Sequence, residues 1–199
     1  MASVFQTYLQ LGFFHIFNLR AYDHLVFLLA LCAPYVLADW RRVVALVTSF
    51  TVGHSLTLAL ATLGFVQYNV KVIEVLIPIT ILLTCVVNLR HQERERERGI
   101  PRRRHLILAL PNLLAAAFGL IHGLGFSSYL RELLGRQSRP VLQLLAFNVG
   151  VELGQLLIVS IILLLGFVVL RVFRVAQREW LLVVSGAAAG IAAVLLLGT

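Results

Sequence analysis

Long apolar runs separated by short polar strings dominate the chain. A helix crossing the hydrocarbon core of a bilayer needs about 20 largely apolar residues. Six segments meet that requirement: 23–39, 43–65, 70–90, 105–126, 140–169 and 179–198. None shows the alternation of barrel strands, and lipid leaves exposed backbone groups unsatisfied, so each is predicted to be helical. The N-terminal stretch 2–18 is apolar but shorter, and Gln6, Gln10, Gly12 and His15 interrupt it. It is expected to form a short helix packed on the bundle; a re-entrant or interfacial piece and a seventh span are the other readings. The pattern predicts an all-α, polytopic transmembrane helix bundle with six spans plus a short N-terminal helix. Residues 1–199 then make one integral membrane domain.

Composition agrees. The chain is 60% hydrophobic and only 13% charged, with a mean hydropathy of +0.92, whereas soluble domains are roughly 45–50% apolar and about 25% charged. The net charge of +8 would suit nucleic acid, but its distribution points to a membrane. The string "RHQERERERGIPRRR" carries seven arginines and three glutamates, and reads as a solvated loop, 91–104, on the cytoplasmic side. With "DWRR" and "RVFRVAQR" it places 12 of the 17 basic residues on that face, leaving Arg20, Lys71, Arg131, Arg136 and Arg139 outside. Six spans put both chain ends outside. Cys32 and Cys85 sit in apolar runs without a CxxC or Cys/His spacing and are expected to be core residues. The first residues have no basic region or cleavage site typical of a signal peptide. No short internal repeat stands out, and "SGAAAG" (185–190) offers small residues for close helix packing.

Ionisable groups inside spans are costly and therefore mark functional sites. Here they are Asp23 and His24 at the start of the first span, His54, Glu74, His122 and Glu152. All are expected at the midplane or in the outer half, which suggests one polar cavity opening outward. Asn148, Glu152 and Gln155 fall at i, i+4 and i+7, a narrow polar stripe on an apolar helix, with Gly150 and Gly154 on an adjoining face. Thr51, Ser55 and Thr57 flank His54 and could supply ligands or orient an imidazole. Imidazoles with carboxylates suit a borderline divalent metal such as Ni, Co or Zn. The candidate ligands are Asp23, His24, His54, His122 and Glu152, with His15 and Glu74 as weaker members and Asn148, Gln155, Ser55 and Thr57 in support. A buried hydrogen-bond network joining helices is the competing reading, and Lys71 could simply pair with Glu74. His91 and His105 flank the arginine loop, Asn88 and Asn112 read as helix-end residues, and Pro34, Pro78 and Pro111 as sources of kinks. His15 and His24 would stand about 180° apart and roughly 13 Å along one unbroken helix. They can share an ion only if the chain bends between them, near Asn18.

The segments "LGFFHI…DHLVFLLAL", "FTVGHSLTL", "FGLIHGLGF" and "FNVGVELGQ" together resemble the HupE/UreJ family of bacterial membrane proteins, from about residue 11 to residue 157. The resemblance implies a multi-pass protein of the bacterial inner membrane that takes up nickel, or cobalt or another divalent metal. The family's His followed by an Asp-His pair maps to His15, Asp23 and His24, although seven residues, "IFNLRAY", separate His15 from Asp23 where the family has five. The expectation is transport of a divalent transition metal through an outward-facing His/Asp/Glu site. The alternative is an intramembrane metal-dependent enzyme using the same cluster, with Glu152 as general base. The expected partners are the lipid bilayer and the metal ion, with no organic cofactor and no nucleic acid; a homo-oligomer stays open.

Overall fold

In the computed structural model the described residues are 3–18, 22–98, 109–134 and 140–198, the side chains of 91–98 and 109 aside. Arg20, Arg136, Arg139, His105 and residues 99–104 of the arginine loop lie outside them, as does the side chain of His91. Every regular element among the described residues is helical: α1 (Val4–Ile16), α2 (Asp23–Cys32), α3 (Trp40–Thr62), α4 (Val70–Arg98), α5 (Ala109–Gly125), α6 (Ser127–Leu134), α7 (Pro140–Phe167) and α8 (Gln177–Gly198). Five stretches are long and apolar enough to cross a membrane: Leu37–Thr62, Val70–Arg90, Leu110–Leu134, Pro140–Val172 and Gln177–Gly198.

The first sequence-predicted span is shorter than expected. The α-helix begun at Asp23 ends at Cys32, and a single 3-10 turn (Leu37–Asp39) leads into α3. Pro34 explains the stop, because it has no N–H to give to the Ala30 carbonyl, which accepts from the Asn88 side chain instead. Ten residues rise only about 15 Å, half a bilayer. The helix α1 precedes it in the chain: it is capped by Ser3, whose hydroxyl accepts from the Gln6 N–H, and it packs along α7. The loop expected from residue 91 begins later, since α4 stays helical through Arg98.

Close helix packing is set by glycines, as membrane bundles require where lipid gives no hydrophobic drive between helices. A methyl group added to Gly119 or Gly53 would collide with the backbone of Phe50 or Ala116 respectively, locking α3 against α5. A methyl group on Gly12 or Gly150 would collide with Phe147 or Leu9, locking α1 against α7. By contrast Gly186 and Gly190 of "SGAAAG" meet nothing within 4 Å. In that segment Ser185 and Ala188 are the buried positions.

These contacts expose a repeat too degenerate to stand out along the chain. Gly12-x-x-His15 in α1 matches Gly119-x-x-His122 in α5, and "FTVGHSL" (50–56) in α3 matches "FNVGVEL" (147–153) in α7. Gly12 abuts Phe147 as Gly119 abuts Phe50, and Gly150 abuts Leu9 as Gly53 abuts Ala116. Leu9 and Ala116 each precede the matching glycine by three residues. A short helix, α2 or α6, follows the GxxH helix in each half, and a long one, α4 or α8, closes it.

The pairs are parallel: residues 53 and 57 of α3 meet 116 and 120 of α5, and residues 150 and 154 of α7 meet 9 and 13 of α1. The two pairs run in opposite directions. Arg131 of α6 donates to the carbonyls of Ala61 and Thr62 at the end of α3. Gln177, just beyond α7, donates to the Pro34 carbonyl ahead of α3, so α7 ends on the face where α3 starts and runs against it. The halves are thus inverted copies about a pseudo-twofold axis passing between α3 and α7, which pack on each other.

Candidate metal centre

The break between α1 and α2 builds the site. The helix α1 ends at Ile16, the Asn18 amide donates back to the His15 carbonyl at 3.2 Å, and α2 starts afresh at Asp23. This is the bend that a shared His15–His24 site requires. The ring centroids of His15 and His24 are 5.0 Å apart. His54 of α3 lies 5.8 Å from His24 and 6.4 Å from His15, and His122 of α5 lies 5.1 Å from His24. Ring nitrogens of His15, His24 and His54 all fall within 4.8 Å of one another, and so do ligand atoms of Asp23, His24 and His122. His24 belongs to both groups.

The hydrogen bonds around the imidazoles leave lone pairs pointing at one another. Thr80 of α4 gives its single hydroxyl hydrogen to the Ile77 carbonyl at 2.7 Å, so at 2.9 Å from His122 Nε2 it acts as acceptor. With the Thr80 hydrogen on Ile77, His122 carries its proton on Nε2, and Nδ1, buried and without a partner, presents its lone pair. In His24, Nδ1–H donates to Asp23 Oδ1 at 3.2 Å, leaving the buried Nε2 without a partner. Asp23 Oδ1 also accepts the His24 backbone N–H at 2.9 Å. The same condition holds for His15 Nε2 and for both ring nitrogens of His54.

An unmet buried polar atom costs about 1–3 kcal/mol, so an unpartnered ring nitrogen on each of four clustered imidazoles favours a cation that binds several of them together. Ligand atoms around a tetrahedral or octahedral ion at about 2.1 Å stand roughly 3–4 Å apart. The cluster needs only a small contraction to reach that spacing. Aromatic rings seal it: Phe126 is 3.9 Å from His15, and Phe27 and Phe50 lie 5.1 and 5.3 Å from His122.

The cluster is enclosed, and two of its residues fall midway along candidate membrane spans. Thr80 is ten residues from either end of the apolar stretch Val70–Arg90, and His122 is twelve from either end of Leu110–Leu134. Asp23 and His24 open α2 directly after the break that follows α1. His54 and His122 are fully buried, and only Asp23 keeps partial exposure.

Other predicted residues fall elsewhere. Glu152 accepts a 2.6 Å hydrogen bond from the Thr48 hydroxyl and is in neither ligand group. Glu74 is exposed on α4. Gln155 accepts from the Thr51 hydroxyl at 2.7 Å, Asn148 is half-buried with Oδ1 unpartnered, and Ser55 is half-buried. Thr57 donates to the Leu120 carbonyl at 2.7 Å, joining α3 to α5. Asn88, expected at a helix end, lies within α4, where its side chain donates to the Ala30 carbonyl at 2.8 Å and holds α2. Thr80 was missed as a site residue. The signal was present, because Thr80, Thr84 and Asn88 form a buried polar stripe at i, i+4 and i+8. Cys32 and Cys85 are free and buried, as core residues.

Fold and site together define a multi-pass helical membrane protein with a buried histidine–aspartate cluster of metal-ligating chemistry. A family model described as HupE / UreJ protein matches residues 1–198. The chain belongs to the HupE/UreJ family, which is associated with nickel and cobalt transport. No curated protein and no solved structure matches it.

Proposed function

We propose that this protein carries a divalent transition metal ion, nickel foremost, across the bacterial inner membrane, with the ion held at mid-depth by His15, His24, His54 and His122 and assisted by Asp23. The observation that carries this reading is the set of buried imidazole lone pairs converging without partners between broken crossings of two inverted halves. Inverted repeats with interrupted helices meeting at the bilayer midplane are the architecture in which secondary transporters place substrate. In this reading α1 and α2 together make one crossing, so the chain crosses six times with both ends outside. The face bearing Arg41, Arg42, Arg171, Arg174 and Arg178 is cytoplasmic by the positive-inside rule.

The chemistry follows from the residues. Neutral imidazole is a good ligand for nickel, cobalt and zinc. The Thr80 and Asp23 hydrogen bonds hold His122 and His24 with their free nitrogens inward, so little reorganisation accompanies binding. The enzyme alternative needs a general base beside a metal-bound water. Glu152, the residue expected in that role, is bonded to Thr48 instead, which weighs against it. The test is Ni2+ accumulation by cells producing the wild type, His54→Ala or His24→Ala, with equilibrium binding to each purified protein. Binding and accumulation lost together in both variants support the reading. Full accumulation by His54→Ala would sink it.

A further inference from the structure

A second polar feature lies between the cluster and the arginine-bearing face. At the α3–α7 crossing the Thr48 hydroxyl donates to Glu152 at 2.6 Å, and one turn nearer the cluster Thr51 donates to Gln155 at 2.7 Å. Gln155 is fully buried and its Nε2 has no partner. Thr48, Thr51 and His54 succeed one another at three-residue steps, so a polar ladder leads from His54 toward the start of α3.

Depth makes this ladder unusual. Thr48 is six residues from His54, about 9 Å along the axis, whereas the hydrocarbon extends about 15 Å from the midplane. Glu152 is nevertheless only half-buried and Thr48 is exposed. A carboxylate facing lipid at that depth would be costly; one lining a water-filled crevice would not. Nor does packing demand the acid. The repeat places Ser55 where the other half has Glu152, and Leu145 where it has Thr48, while the glycine contacts of the two halves match.

We propose that Glu152, with Thr48, is a second cation station, lining a crevice open to the arginine-bearing face and receiving the ion as it leaves the histidine cluster. This rests on the transport reading. The carboxylate offers a hard oxygen ligand and one negative charge, a weaker hold on a borderline ion than several imidazoles, and so suits release. The unpartnered Gln155 amide lies along the way between the two sites.

The test uses the full chain in proteoliposomes with Ni2+ as probe. Glu152→Gln is expected to bind Ni2+ at equilibrium within about twofold of wild type, while its Ni2+ flux falls about tenfold or more. Glu152→Asp should recover part of the flux. Separately, Glu152→Cys in a chain carrying Cys32→Ala and Cys85→Ala is expected to react with a membrane-impermeant thiol reagent from the arginine-bearing face only. Loss of binding in Glu152→Gln, matching that of His54→Ala, would overturn the proposal by making Glu152 a ligand of the central site. Unchanged flux, or a cysteine inert from both faces, would overturn it too. Wild-type vesicles that bind Ni2+ but move none overturn the transport reading and the exit role with it; the labelling then decides on its own whether Glu152 meets water.

Discussion

Replacing Gly119 with alanine tests how the packing of α3 on α5 holds the site. The added carbon would stand 3.0 Å from the Phe50 carbonyl carbon and 3.0 Å from the His54 amide nitrogen, and closer still to the Phe50 carbonyl oxygen. Optimal separations are about 3.5–4.0 Å, and backbone atoms of a helix cannot swing aside as a side-chain tip can. The helices must therefore part by about 1 Å. Overpacking of this kind costs about 1–3 kcal/mol, and the upper end applies because every obstructing atom is backbone. For a chain of this size each 1 kcal/mol shifts the melting temperature by about 2–4 °C, so a loss of about 6–12 °C is expected in detergent by circular dichroism. The same parting moves His122 away from His54, and sites of this kind tolerate only about 0.5 Å of misplacement. Ni2+ affinity should fall about tenfold alongside. The pseudo-twofold makes a sharper demand: Gly12→Ala meets Phe147 as Gly119→Ala meets Phe50, so its loss of stability should be of similar size. Gly186→Ala, with open space around it, should be neutral or stabilising by up to about 1 kcal/mol. A Gly119→Ala protein that melts with the wild type and binds Ni2+ as tightly would refute the packing and its coupling to the cluster.

Thr80→Val removes the acceptor that fixes the His122 tautomer, and Ni2+ affinity measured by chelator competition should drop about 10-fold or more; Thr80→Ser should restore it. Ni2+ binding needs imidazole lone pairs, so protons compete with the ion and affinity should weaken as pH falls into the acid range. A pH titration of binding with a slope of one proton or less would argue against several histidines acting together. Arg131→Met removes the guanidinium that caps the α3 carbonyls of Ala61 and Thr62. It should lower stability by about 1 kcal/mol while leaving Ni2+ affinity unchanged, a separation that unfolding and binding measurements on one sample would check.

Much of this protein is determined by local patterns that a single chain displays. Apolar length makes five of the spans, because lipid leaves helix as the only way to satisfy the backbone of an isolated crossing. The rarity of ionisable groups in those runs singles out His54, His122, His24 and Asp23, since each would be costly without a purpose. Even the condition on His15, a bend near Asn18, follows from helical geometry. What the sequence could not decide is which polar groups meet. Glu152 looks like a ligand on its own helix, but α7 crosses α3 so that it meets Thr48, two ladder steps away from the histidines. Thr80 looks like an ordinary helix residue until α4 brings it against His122. The duplication hides because membrane packing conserves small size at a few glycines and leaves the intervening apolar residues free to vary. Only when Gly12 is seen against Phe147 and Gly119 against Phe50 do the two halves become one motif used twice, with a helix break after Cys32 where composition alone ran one span over residues 23–39.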